Sequence, residues 1–364
     1  MHKVKLYTHQ FLDLQRGQQD ALADHAIKVL FESGQAKYFS KVNELLSCND
    51  YSIPESLPHE LKDFLETSRI LPDWADDKLI KKGQAFFRQH ASSLTLMLGL
   101  MSLPYDYAAA NGAQVLVRSQ RLTQDVGKRL VETGKYVFDV GSPDGFAPKG
   151  NAIASAQKVR LIHAAIRYHI SKSADWDPSW GKPINQEDMA GTNLSMSLIP
   201  VRGMRKLGIT VSTEEALAYI HLWNVASSMM GVVHELLPDT AKEAFLLDKM
   251  IRERQFKRSE AGVALTAALL DYVTQNAGNQ LSWFAPKYMR FLLGDTVANM
   301  LDIPEGNVAA EQLLNPLVSW NQLIGLIQPK SNSFYQAKDM YRANSKKVSP
   351  GKKVSLKVPD GLKG

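Results

Sequence analysis

Between Ala154 and Ser171 the chain reads ASAQKVRLIHAAIRYHIS, and Arg160, His163, Ala164 and Arg167 fall at i, i+3, i+4 and i+7. At the helical period those positions share one face. Two guanidinium groups beside an imidazole can hold an anion, and the imidazole can ligate a metal. Val159, Leu161, Ile162, Ala165, Ile166 and Ile170 make much of the remaining circumference apolar, so the helix is suited to burial. A buried row of Arg and His needs anionic or metal partners to offset desolvation, and a bound anionic cofactor meets that need. The plainer alternative leaves Arg160 and Arg167 on a wetted face and His163 as an ordinary hydrogen-bonded side chain.

A second candidate is Glu215 to Gly231, EALAYIHLWNVASSMMG, apolar nearly all round with His221, Trp223 and Asn224 embedded in it. A buried imidazole there serves either as an iron ligand or as a donor to a core carbonyl. His169 is a weaker candidate because it can face away from His163. Met97, Met101, Met229 and Met230 are read as core filler, with the lining of an apolar pocket as the alternative.

Several chemistries lose their usual signatures. Neither GxxxxGK[ST] nor GxGxxG occurs, so the Gly-rich turns that cradle nucleotide phosphates are missing. There is no GxSxG elbow. The nearest approach to HExxH, His234-Glu235-Leu236-Leu237-Pro238, puts proline where the second zinc ligand belongs. No Glu-x-x-His pair suggests a helical di-iron site. For metal chemistry, isolated histidines remain.

The elements that must position these groups are helical. Apolar residues recur at helical spacing through most of the chain, and alternating stretches bounded by turn residues are scarce, which predicts an all-α fold. Helices are expected over Leu14 to Leu46, Pro58 to Glu66, Asp76 to His90, Ser92 to Ser102, and Tyr107 to Glu132, with Gly134 as the stop of the last. GSPDGFAPKGN, between Val140 and Asn151, and Ala174 to Pro183 are dense in turn residues and are read as loops. Further helices are expected from Ala154, over Gln186 to Ser197, Thr213 to Val233, Thr240 to Arg258, Gly262 to Ala277 and Pro286 to Leu293.

Hydrophobic residues at 45% and charged residues at 22% fit a folded globular body. Cys48 is the single cysteine, which excludes an internal disulfide framework and fits a reducing, cytoplasmic address. The first twenty residues carry no apolar core of the length an export signal needs. Ser92 to Pro104 and Ala261 to Val273 are shorter than the roughly 18 residues of a membrane span, and are read as buried helices. The formal charge of +6 is partly concentrated in Lys346, Lys347, Lys352, Lys353 and Lys357, read as a solvated disordered tail rather than a nucleic-acid surface.

The order of segments resembles the catalytic domain shared by bacterial rubber oxygenases (latex-clearing proteins) and fungal MpaB-type oxygenases. The matching pieces begin with Leu71-Pro72-Asp73-Trp74-Ala75-Asp76, Gly83-Gln84-Ala85-Phe86-Phe87 and RLVETGKYVFDV from Arg129 to Val140. They continue with Arg160-Leu161-Ile162-His163-Ala164-Ala165-Ile166-Arg167, Ile184 to Thr192 (INQEDMAGT) and Tyr219-Ile220-His221-Leu222-Trp223. The resemblance implies a single helical domain over residues 71–343, after an N-terminal helical extension (1–70) and before the basic tail (344–364). It also implies a b-type haem between helices and dioxygen-dependent oxidation of an apolar, lipid-like substrate. Arg160 then corresponds to the family's arginine near the haem, while His163 and Ala164 fall where rubber-cleaving members carry a lysine and a threonine. The proximal iron ligand of those members falls on Leu194. On this reading Arg160 and His163 are the catalytic candidates, His163 or His221 the iron ligand, and Arg160, Arg167, Thr192 and Trp223 cofactor contacts. The competing expectation is a non-catalytic helical binding protein that keeps an apolar cavity and has lost the metal site.

Overall fold

The computed structural model describes residues 3–35, 37–119, 126–276, 285–305 and 333–350. Among them every extended element is helical, and the only strand-like feature is an isolated bridge between Ala109 and Phe256. The all-α expectation holds.

The N-terminal part forms four short helices, α1 (His9–Arg16), α2 (Ala21–Glu32), α3 (Tyr38–Leu45) and α4 (His59–Ser68). The continuous helix expected over Leu14 to Leu46 is therefore broken twice. The first break has a visible cause: the Asp20 side chain caps α2 by accepting from Ala23 N, and Gln18 O accepts from Gln186 N in the body of the protein. Next come α5 (Asp77–Met97), capped by Asp76, then a π-helical turn (Leu98–Ser102), α6 (Leu103–Ala108) and α7 (Ala110–Arg118). His90 lies off helical geometry at φ −119° and ψ 17°, so α5 bends there rather than ending.

Helix α8 (Val126–Gly141) runs straight through Gly134, the expected stop. The glycine lies close to a neighbouring ring: a Cβ there would stand 3.1 Å from Tyr341. After it come α9 (Ala152–Ser171), α10 (Gln186–Lys206), α11 (Thr213–Met229), α12 (Ala241–Gln255), α13 (Glu260–Asn276), α14 (Ala285–Leu293), α15 (Asp295–Met300) and α16 (Ser333–Val348). Helix α16 continues to Val348, past Asn344, where the tail was expected to begin. Tyr341 packs on Phe138, and Val348 lies against Gly127. Residues 351–364 lie outside the described residues.

Helix α9 joins two of the core clusters. Its Ala152, Ile153 and Ala156 join the main core with Phe86, Phe87, Tyr136, Tyr219 and Trp223. Its opposite side, Ala154, Leu161, Ala164 and Ala165, joins Ile27, Leu30, Phe64 and Leu65 of the N-terminal helices. Tyr7 and Leu12 enter a third cluster with Leu194, Ile220 and Leu247. A fully buried leucine contributes about 1.5–3 kcal/mol, so the N-terminal helices are held by the same burial that holds the body. Helices α5 and α11 meet backbone to backbone: a Cβ on Gly83 would lie 2.5 Å from Ala218 O. Among the described residues, no helix is long and apolar enough to cross a membrane.

Candidate functional site

On α9 Arg167 is buried while Arg160 and His163 are half-buried, and the counter-charges of the arginines come from the N-terminal helices. Arg160 makes a two-pronged pair with Asp20, Nε to Oδ2 at 2.5 Å and Nη2 to Oδ1 at 2.8 Å. Arg167 donates through Nε to Asp24 Oδ1 at 2.6 Å. The anionic partners that the sequence required are thus protein carboxylates, at least for these edges of the two guanidinium groups. Asp20 itself is 4% exposed and is backed by Gly231, which sits at φ +92°.

Other edges of the row remain unsatisfied. Arg167 Nη1 and Nη2 are shut off from solvent without a hydrogen-bond partner, and Nη2 stands 3.9 Å from Asp20 Oδ2, beyond bonding range. His163 Nδ1 is likewise sealed and unpartnered among the described residues. Burial pushes the His163 imidazole down to about 4, with Arg167 pushing the same way and Asp20 opposing, so the ring is neutral near pH 7. A neutral imidazole is the form that binds metal. Buried polar atoms left in this state usually mark a missing water, ion or ligand.

Helix α10 supplies the facing elements. Asn185 caps it by accepting from Asp188 N, and its first turn carries Glu187 and Asp188. Glu187 is fully buried, between Arg254 at 2.7 Å and Arg16 at 3.2 Å. Asp188 takes the Arg16 guanidinium at 2.9 Å. Thr192 Oγ1 donates to Asp188 O at 3.1 Å. Leu194 is 1% exposed and sealed in the apolar cluster of Met189, Ala190, Ile220 and Val232, so no ligand atom is offered at that position. Helices α9 and α10 hardly touch. Val159, Ile162 and His163 on α9, and Thr192 and Met196 on α10, are each half-buried.

The two candidates on α11 are not brought to the α9 row by any hydrogen bond, ion pair or ring contact among the described residues. His221 accepts at Nε2 from Asp76 N at 3.0 Å, where it supports the start of α5, and its ring lies edge-on to Trp74. That bond occupies the nitrogen a metal would need. Trp223 is 2% exposed, with its ring edge-on to Tyr136 in the main core. His169 packs on Phe31 and Tyr168. No group of three or more His, Cys, Asp or Glu that could hold a metal ion occurs among the described residues.

One group escaped the sequence reading. Asp106, on α6 just past the π-helical turn, is half-buried, and burial raises its carboxyl to about 7, against the lowering effects of Ser195 and Arg129. Its oxygen Oδ2 lies 2.9 Å from Ser195 Oγ on α10. The available signal was a lone acid inside the otherwise uncharged run SLPYDYAAANG.

Comparisons with known proteins agree with this architecture. A protein-family model described as "ER-bound oxygenase mpaB/B'/Rubber oxygenase, catalytic domain" matches residues 87–327. The rubber oxygenase of Streptomyces sp. (strain K30) is 28% identical over 287 residues, which cover 78% of this chain and 70% of that protein. The structure of latex clearing protein LCP in the closed state superposes with a TM-score of 0.80 at 26% identity, covering 95% of each chain. With more than half its length inside the family model and the same helical fold, the chain belongs to the MpaB and rubber-oxygenase catalytic-domain family.

Proposed function

We propose that the protein is a haem b-dependent oxygenase that uses dioxygen to oxidise a small or lipid-like apolar molecule, with the haem held beside α9. The observation that carries this reading is the set of buried, unpartnered polar atoms on one helical face: His163 Nδ1 and Arg167 Nη1 and Nη2. They suit the group. A neutral imidazole is an iron ligand, and a buried guanidinium with two idle donors suits a carboxylate of an anionic cofactor. Bound there, haem supplies the iron that activates dioxygen.

The chain's own residues do the rest. His163 is the preferred ligand, because Leu194 offers no donor atom and the His221 Nε2 is engaged by Asp76. Asp20 and Asp24 hold the arginines in place, and the outer edge of Arg167 is left to donate. Val159, Ile162 and Met196, apolar, half-buried and packed against the main core, are assigned to the wall that meets an apolar substrate. Thr192 is assigned to the same wall. The free cysteine Cys48 supports a reducing compartment such as the cytoplasm.

The test is the absorption spectrum of protein purified from haem-replete cells. A Soret band is expected, lost in His163→Ala and retained in His221→Ala. A protein that stays colourless after haem reconstitution overturns the reading. A band lost only in His221→Ala overturns the ligand assignment.

A further inference from the structure

The contact between Asp106 and Ser195 has a proton-counting consequence. Ser195 Oγ lies 2.9 Å from Asp106 Oδ2 and also 2.9 Å from Thr192 O. A hydroxyl has one hydrogen, so it can donate to only one of these oxygens. If Asp106 were ionised, one of the two contacts would have no proton between its oxygens. If Asp106 carries a proton on Oδ2, it donates to Ser195, Ser195 donates to Thr192 O, and both contacts are satisfied. The carboxyl shifted to about 7 by burial is consistent with that count.

The surroundings hold the acid in this state. Ser195 is fully buried, and its carbonyl accepts from Ser102 Oγ at 2.6 Å. Ser102 closes the π-helical turn, a local irregularity often found at functional sites. Leu103, one turn before Asp106, and Met196, next to Ser195, are apolar and half-buried. The other charged group nearby is Arg129, which is bonded to Tyr107 Oη. Asp106 Oδ1 accepts nothing from the described residues, and the residue keeps accessible surface. A protonated acid whose carbonyl oxygen has no donor among the described residues is a neutral hydrogen-bond acceptor.

We propose that Asp106, braced by Ser195, anchors the hydroxyl group of an otherwise apolar ligand, its Oδ1 accepting the ligand's O–H, so that the substrate class is an apolar alcohol. This rests on the reading of the protein as one that takes an apolar substrate, but it does not require haem to be bound.

The experiment is calorimetric titration of the full chain, as purified, with 1-octanol and with methyl heptyl ether, which has nearly the same shape and cannot donate. One net hydrogen bond predicts a preference for the alcohol of roughly 3- to 10-fold. Asp106→Asn, whose side-chain carbonyl still accepts while its amide donates to Ser195, keeps the preference. Asp106→Leu abolishes it and leaves the ether's affinity within about two-fold. An infrared band of a protonated carboxylic acid, present at about pH 6 and missing in Asp106→Asn, is the second readout. Equal affinity for alcohol and ether in the unaltered protein, or a preference that survives Asp106→Leu, overturns the proposal. A colourless protein that still prefers the alcohol sinks only the oxygenase reading; a Soret band without the preference sinks only this one.

Discussion

Arg160 and Asp20, 140 residues apart in sequence, form a two-pronged ion pair at 2.5 and 2.8 Å inside the protein. Asp20 also faces Arg167 at 3.9 Å. One carboxylate at the start of α2 thus faces both guanidinium groups of the α9 row and ties the N-terminal helices to the candidate site.

Removing that carboxylate leaves buried positive charge without its partner. Asp20→Asn is expected to cost roughly 3–5 kcal/mol, the usual penalty for breaking a buried pair from one side. Asp24→Asn costs less, because the Asp24 side chain is 29% exposed and water can replace part of what is lost. Urea unfolding of the two variants checks the order, and equal midpoints contradict it.

Gly231 is expected to be coupled to the same pair. At φ +92° an L side chain is strained, and a Cβ there would stand 2.7 Å from Asp20 Oδ2 and 3.0 Å from Arg160 Nε. Gly231→Ala should destabilise by about 2–4 kcal/mol through strain and displacement of Asp20. Combined with Asp20→Asn, the total should fall short of the sum by about 1 kcal/mol or more, because both changes disturb one contact. Strict additivity in the double-mutant cycle argues against this coupling.

Asp106 predicts a specific pH dependence of stability. Its carboxyl titrates at about 7 in the folded protein against an ordinary 3.8. Between those values the unfolded chain has released the proton that the folded one retains, so this group's contribution to stability falls as pH rises from about 4 to about 7 and is flat above. Asp106→Asn cannot titrate. Relative to the unaltered protein it should show no difference near pH 4 and a gain of roughly 4 kcal/mol near pH 8. Parallel stability curves across that range would show that Asp106 is ionised throughout.

Glu187 is the hinge of a second buried network. It has no exposed surface and accepts from Arg16, Arg254 and Gln255. Glu187→Ala is expected to cost roughly 3–5 kcal/mol, and Glu187→Gln less, since the amide keeps one acceptor while Asp188 and Asp13 continue to balance the arginines. Thermal unfolding of the pair provides the check. A Gln variant as unstable as the Ala variant would mean that charge, not hydrogen bonding, holds this network.

The chain's linear pattern determined what local physics determines. Helical spacing of apolar residues specifies the helices, and Asp76, Asn185, Ser212 and Thr240 start four of them by accepting backbone N–H groups. The same spacing placed Arg160, His163 and Arg167 on one face, and the order of motifs was enough to identify the family. Periodicity says which residues share a face, but not what that face meets. Only the tertiary structure decided that Asp20 and Asp24 meet the arginines, that His221 is used up by Asp76, and that Trp223 lies in the main core. It also decided why Gly134 does not end a helix, since that glycine answers to a ring more than 200 residues away. Asp106 was out of reach for the same reason. An aspartate is an ordinary surface acid until a second helix brings a serine with one proton and two acceptors against it.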